Sequence, residues 1–330
     1  MAMDWLDLFP EPVRSMLRRL PQTVFDRLEE VRIRENRPLE INSSGEHHFL
    51  TPGGRMTLQP GEAYRPDKED TSRLLDLISN HSLYTMEEEL RKGFITIPGG
   101  HRIGLAGRAV LSGGKVEHLR DISGFNVRIA RAIPGIADPV LPYVLDERSG
   151  RVLHTLVLSP PQQGKTTLLR DLARQISSGT AGRRHTPGGM KVCIIDERSE
   201  IAGSYKGIPG FDVGPRTDVM DACPKAEGMM MMIRSMSPEV IIVDEIGRIE
   251  DAEAIQEALH AGISVIASAH GRDLSELSRR PAFQALAGQA LFERYILLER
   301  KDRQISFRAA DAKQRMLSLT VTGKGGGGTC

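Results

Sequence analysis

The sequence predicts an α/β fold in its C-terminal half, a phosphate-loop domain on a mostly parallel sheet, preceded by a smaller α+β domain. Three observations carry this. From residue 151 onward, short Val/Ile/Leu runs alternate with helical stretches, the pattern of parallel strands covered on both faces. The run Val152–Leu158 leads through Ser159-Pro-Pro-Gln-Gln-Gly-Lys-Thr-Thr167 into a helical stretch. The run Glu239–Val243 ends in the acid pair Asp244-Glu245.

The 330 residues suffice for two ordinary domains. Lys plus Arg (44) nearly cancels Asp plus Glu (43). Such a chain has no global electrostatic footprint for nucleic acid or anionic membrane. The start, Met1–Pro12, is acidic and has no apolar signal core. No apolar run approaches the roughly 20 residues that span a bilayer. Cys193, Cys223 and Cys330 match no zinc or disulfide spacing, so a reducing, cytoplasmic compartment is expected.

In the first half, Val13–Leu20 and Val24–Leu28 have helical spacing, Glu30–Arg34 alternates as a strand, and Leu39–Asn42 forms another. Thr71–Leu83 is an amphipathic helix with Leu74, Leu75, Leu77 and Ile78 inward. Gly93–Ile97, Arg102–Leu111 and Ser123–Ala130 are strands parted by the glycine turns Pro98-Gly-Gly100 and Ser112-Gly-Gly114. Proline and glycine punctuate residues 134–150. The expected organisation is an N-terminal domain over 1–138, a linker over 139–150, the phosphate-loop domain over 151–322 and a glycine-rich, disordered tail over 323–330. Within the third segment the expected helices are Lys165–Ile176, Ala226–Met236 and Ala252–Ala261. The strands are Val152–Leu158, Lys191–Ile195, Glu239–Val243, Ile263–Ala267 and Tyr295–Leu298.

Strand, tight loop, Gly-Lys-Thr, helix is the context in which a phosphate loop works. Gly164 lacks a side chain, so backbone N–H groups can wrap a phosphate, and the helix that follows aims its positive end there. Lys165 offers charge to the β- and γ-phosphates, and Thr166 a hydroxyl to Mg²⁺. The residues expected to cradle ATP are Ser159, Pro160, Pro161, Gln162, Gln163, Gly164, Lys165, Thr166 and Thr167. Ser159 occupies the pattern's first glycine position and fits only with an ordinary φ.

Asp244 ends a buried strand, where parallel α/β sheets place ligands. It is expected to hold Mg²⁺ with Thr166, while Glu245 orients the attacking water. An unpaired acid at a buried strand end is costly, which favours a cation there. Asp196-Glu197 repeats the theme on another strand, with Glu197 a further metal candidate. Ser268 and His270, at the end of a third strand, are expected to sense the γ-phosphate. Of Arg198, Arg216, Arg234 and Arg248, Arg216 on its Gly-Pro loop is the choice for a transition-state arginine. The methionines at 220, 229–232 and 236 are adaptable apolar surface, either core or an oligomer interface.

These motifs resemble the secretion-ATPase branch of RecA-like phosphate-loop proteins: Asp196-Glu197 its acidic box, Val243-Asp-Glu-Ile-Gly-Arg248 its Walker B, Ala267-Ser-Ala-His270 its histidine box. Closer still, Gly164-Lys-Thr-Thr-Leu-Leu-Arg-Asp-Leu-Ala173, Asp196-Glu-Arg-Ser-Glu200 and the stretch from Asp218 through the methionines to Glu239 are similar to the stage III sporulation protein AA family. That family carries glycine where Ser159 stands. The resemblance implies an Mg-dependent ATPase of the mother cell in an endospore-forming bacterium. It would be cytoplasmic, peripheral at the membrane through partners, and assembled with itself as a ring, by analogy a hexamer. Its other partners would be membrane proteins of the mother cell–forespore channel, with no direct nucleic acid. Two other readings stay open: a nucleic-acid-associated RecA-like ATPase, and a degenerate structural relative that assembles without turnover.

Overall fold

The structure is a computed structural model, and it describes residues 5–79, 91, 93–97, 99–146, 148–161, 163–179, 189–277, 283, 291–301 and 304–317. The end of the Thr71–Leu83 helix, Pro98, Gln162 and the tail 323–330 lie outside them. The chain divides into two units. The first is Met1–Ala132 with Arg198–Asp212, and the second is Ile133–Glu197 with Val213–Cys330.

In the first unit, α1 (Glu11–Arg18) and α2 (Gln22–Phe25) lead into β1 (Leu28–Arg34). The strands β2 (Glu40–Ser43), β3 (Glu46–Leu50) and β4 (Met56–Thr57) follow, then α3 (Lys68–Ser79), β5 (Phe94–Ile97), β6 (His101–Ser112) and β7 (Lys115–Arg128). The sheet order is β4-β3-β2-β1-β7-β6-β5. Alternation in β1 buries Leu28, Val31 and Ile33, as a half-covered antiparallel strand requires. They pack with Val13, Leu17, Leu74 and Ile78 from the helices and with Ile103 and Val127 from β6 and β7. Residues 198–212 join this unit, where Arg102 pairs with Glu200 at 2.5 Å.

In the second unit, α4 (Leu141–Val144) precedes β8 (Thr155–Ser159), α5 (Lys165–Ser178), β9 (Val192–Asp196) and β10 (Thr217–Asp221). Next come α6 (Lys225–Met236), β11 (Val240–Val243), α7 (Ile249–His260), β12 (Ser264–His270) and α8 (Leu274–Leu277), with β13 (Arg294–Lys301), β14 (Gln304–Asp311) and β15 (Met316–Leu317) last. The sheet order is β10-β9-β11-β12-β8-β13-β14-β15. It is parallel from β10 to β13 and antiparallel beyond. Every residue of β8, β9 and β11 is buried, which is why these strands read as continuous apolar runs.

Residues 139–150, expected as a linker, fold within the second unit. Leu145 bridges Val152, and the Arg294 guanidinium donates to the Tyr143 carbonyl at 3.1 Å. The stretch just before it is anchored by Asp171 of α5, which accepts the Gly135 and Ala137 N–H groups, both at 2.9 Å. Burial works to raise the Asp171 pKa, but the Ala137, Arg174 and Gln175 hydrogen bonds outweigh it and hold the carboxyl below its usual range. Of the methionines, Met229 and Met232 are core, whereas Met231 and Met236 are exposed. No helix among the described residues is long and apolar enough to cross a membrane.

Candidate nucleotide site

Parallel pairing sets the strand ends side by side. Val243 of β11 is in register with Ile195 of β9 and with Ala267 of β12, and His270 of β12 is in register with Ser159 of β8. Ser159, Asp196, Asp244 and His270 therefore share one carboxyl edge, the edge at which such sheets bind ligands.

After β8 the chain turns through Pro160 and Pro161 to Gly164, whose φ of 91° is left-handed and suits glycine. Gly164 caps α5 with no side-chain hydrogen bond, leaving the first helical N–H groups directed at the loop. Ser159 lies outside the positive-φ region, so the ordinary backbone it needs is present. Its hydroxyl donates to the Pro160 carbonyl at 2.7 Å.

Lys165 is buried. Its ammonium donates to Ser159 O and Ser159 Oγ, each at 3.1 Å, to Pro160 O at 3.2 Å, and meets His270 Nδ1 at 2.9 Å. Burial pushes the Lys165 pKa down, while the charges of Asp244 and Glu245 pull it back up. Those two carboxylates lie close enough to stabilise the ammonium, as a triphosphate would.

Thr166 Oγ1 is 3.3 Å from Asp244 Oδ2. Ser268 Oγ donates to Asp244 Oδ1 at 2.5 Å. Asp244 Oδ1 and Ser268 Oγ accept the Glu245 N–H at 2.9 and 3.0 Å. Glu245 itself has φ 39°, a left-handed backbone that costs a glutamate about 1–3 kcal/mol. Two acceptors on one N–H, with Ile246 N–H bonded to Ser268 O at 2.8 Å, hold that conformation. His270 Nε2 is 3.4 Å from Glu245 Oε1, so the imidazole spans the loop lysine and the candidate water-orienting acid.

The donor set fits a magnesium–triphosphate. A threonine hydroxyl and a carboxylate are hard oxygen ligands 3.3 Å apart, and Mg²⁺ in such sites takes one or two protein oxygens and completes its shell with phosphate and water. Among the described residues no group of three or more His, Cys, Asp or Glu forms a cage for a metal.

The structure thus brings together Ser159, Pro160, Lys165, Thr166, Asp244, Glu245, Ser268 and His270. Pro161, Gln163 and Thr167 occupy the same loop and the first turn of α5. Two expected residues are placed elsewhere. Glu197 is engaged by the ammonium of Lys225 at the start of α6, so its carboxylate faces a lysine rather than Thr166 and Asp244. Arg216 precedes β10, its N–H bonded to Ser177 Oγ at 2.6 Å and its carbonyl to Val192 N. That is the amino edge of the parallel sheet, opposite Asp244. The Gly214-Pro pair before Arg216 signalled a loop but not which edge the loop serves. Lys225 was missed; an acid-lysine pair 28 residues apart leaves no periodic signal.

The family model described as "Sporulation stage III, protein AA" matches residues 4–313. Stage III sporulation protein AA of Bacillus subtilis (strain 168) is 51% identical over 294 residues, 89% of this chain and 90% of that protein. The ATPase DotB of Yersinia pseudotuberculosis aligns over 86% of this chain and 76% of its own, with TM-score 0.55 and 14% identity. The pilus retraction motor PilT, solved with bound ADP, aligns over 87% and 79%, with TM-score 0.54 and 15% identity. At such identities the likeness is one of fold, and the fold is that of RecA-like secretion ATPases. With the family match running over nearly its whole length, this chain belongs to the sporulation stage III protein AA family.

Proposed function

We propose that the protein is an Mg-dependent ATPase that transfers the γ-phosphate of ATP to water. The observation that carries this reading is the meeting of Lys165, Thr166, Asp244, Glu245 and His270 at one sheet edge. Lys165 and the N–H groups opening α5 bind the β- and γ-phosphates. Thr166 and Asp244 hold the cation, which neutralises charge developing on the phosphates. Glu245 orients the attacking water, and Ser268 fixes the geometry of both acids. His270, placed between Lys165 and Glu245, answers to the state of the γ-phosphate. Arg216, at the far edge of its own sheet, acts on nucleotide only if a neighbouring subunit presents it.

The family membership supports a role in endospore formation. In this reading the protein works in the cytoplasm of the mother cell, as a self-assembled ring, a hexamer by analogy with secretion ATPases, beside membrane proteins of the channel to the forespore. Phosphate release from ATP, with and without Mg²⁺, tests the chemistry on the purified full chain. Metal-dependent release is expected. Nucleotide binding with no release above background would leave a structural relative without turnover, and would overturn the reading.

A further inference from the structure

Two surface features of this chain complement each other. The first is a groove of about 710 Å³ between α6 and α7. Met230 and Met231 supply apolar lining, and Met231 is 53% exposed. Methionine surfaces adapt to irregular partners. Around them stand Glu227, Glu250, Glu253 and Glu257, against a single arginine, Arg234. Two copies meeting groove to groove would set glutamates against glutamates, so the fitting occupant is apolar and basic.

The second feature is the outer half of β6 and β7. Beyond Leu105 and Ser123, among the described residues, these strands are laddered to each other alone, and the Arg91 guanidinium donates to the Glu117 carbonyl at 3.4 Å. No residue from Ala106 to Asp121 is buried. A two-stranded ribbon alone is marginally stable in water, yet this one is specifically built. Gly113 and Gly114 both take left-handed φ at the turn, 57° and 78°. A Cβ at Gly107 would lie 2.7 Å from Arg120 O, so the bulge there admits only glycine. Leu111 and Val116 are paired near the tip, 64% and 46% exposed. Arg108 and Arg120 are cross-strand partners, a like-charge pairing that Asp121 offsets on one side only, through Arg120 at 3.3 Å. Lys115 adds a third cation beside the turn.

We propose that the β6–β7 ribbon of one copy docks in the α6–α7 groove of a second copy. Leu111 and Val116 meet Met230 and Met231, while Arg108, Lys115 and Arg120 meet the glutamates. Each chain carries one ribbon and one groove, so the contact is heterologous and either closes a ring or extends as a filament. This deepens the self-assembly in the proposed function and does not depend on its nucleotide chemistry.

The test is sedimentation of the full chain without nucleotide. Wild type is expected to associate with rising concentration. The groove variant E253R/E257R and the ribbon variant R108E/R120E should each weaken association by about tenfold or more. An equimolar mixture of the two variants should associate again, because each groove then meets a ribbon of opposite charge. All substituted side chains are exposed, and matching circular-dichroism melts would show that folding is intact. As a second readout, a V116C chain and an M231C chain of different mass should form a disulfide-linked heterodimer on mild oxidation. A monomeric wild type, association that ignores both reversals, or a mixture that stays dissociated would overturn the proposal. Phosphate release measured on the same samples keeps that outcome separate from the ATPase reading.

Discussion

Ser268 Oγ donates to Asp244 Oδ1 at 2.5 Å and accepts the Glu245 N–H at 3.0 Å, so one buried hydroxyl holds both acids of the β11 terminus. Replacing Ser268 by Ala should lower kcat by roughly tenfold and leave nucleotide affinity nearly unchanged, since the phosphate-binding lysine is not its partner. Steady-state phosphate release and an equilibrium binding assay check this. An equal loss in both would assign Ser268 to nucleotide binding instead.

Lys165→Ala removes the ammonium that meets Ser159, Pro160 and His270. The expected loss of turnover is on the order of 10²–10³ or greater, from lost phosphate charge stabilisation. Phosphate release above a tenth of wild type, measured at saturating Mg-ATP, would contradict the assigned role.

Glu245→Gln keeps the side-chain shape at a position whose backbone is fixed by Asp244 and Ser268. Binding of Mg-ATP is expected to persist while hydrolysis falls by about 10² or more. Single-turnover kinetics separates the two: bound ATP should remain intact over the time in which wild type converts it.

Ser159→Gly removes a hydroxyl that accepts from Lys165 at 3.1 Å. That hydrogen bond competes with the phosphate for the ammonium. The glycine variant is expected to bind nucleotide about two- to tenfold more tightly, in line with a net hydrogen bond of roughly 0.5–1.5 kcal/mol. Isothermal titration with Mg-ATP reads the change; weaker binding would show that the hydroxyl helps shape the loop.

His101 is buried, and its Nδ1 accepts the Ala130 N–H at 3.2 Å. Burial, aided by the Arg131 charge, lowers its pKa to about 4. In the unfolded chain the ring titrates near ~6.5. Between these values the unfolded state takes up a proton that the folded state refuses, so stability is present above ~6.5 and is lost as pH falls toward 4. The contribution is at most about 3 kcal/mol. Thermal melts of wild type should therefore fall more steeply than those of H101Q across that window; parallel curves would remove His101 from the acid response.

Much of the second unit could be read from the chain. β8, β9 and β11 are buried on both faces, so their sequences are uninterrupted Val/Ile/Leu runs, and α5, α6 and α7 carry clear helical spacing. β10 and β14 were missed because neither is such a run. β10 is an edge strand of half-buried and exposed residues, Thr217-Asp-Val-Met-Asp221, and β14 includes Arg308 and Asp311. In the first unit, β3 and β4 were missed for a similar reason, since His47, His48 and Met56 face outward in part. Strand β7 begins at Lys115 rather than Ser123; its first half ladders with β6 and has no buried residue from Lys115 to Asp121, so it shows no apolar alternation.

The sequence by itself determined the chemistry on offer: a Gly-Lys-Thr turn after one apolar strand, an Asp-Glu pair after another, a Ser-Ala-His ending after a third. These are local signals, because loop shape and strand burial depend on neighbouring residues. Only the tertiary structure decided which of them meet. Parallel register places Ser159, Asp244 and His270 on one edge and Arg216 on the other, and side-chain pairing gives Glu197 to Lys225. Register and long-range pairing join residues tens of positions apart through hydrogen bonding and packing, and no local pattern in the chain encodes those distances.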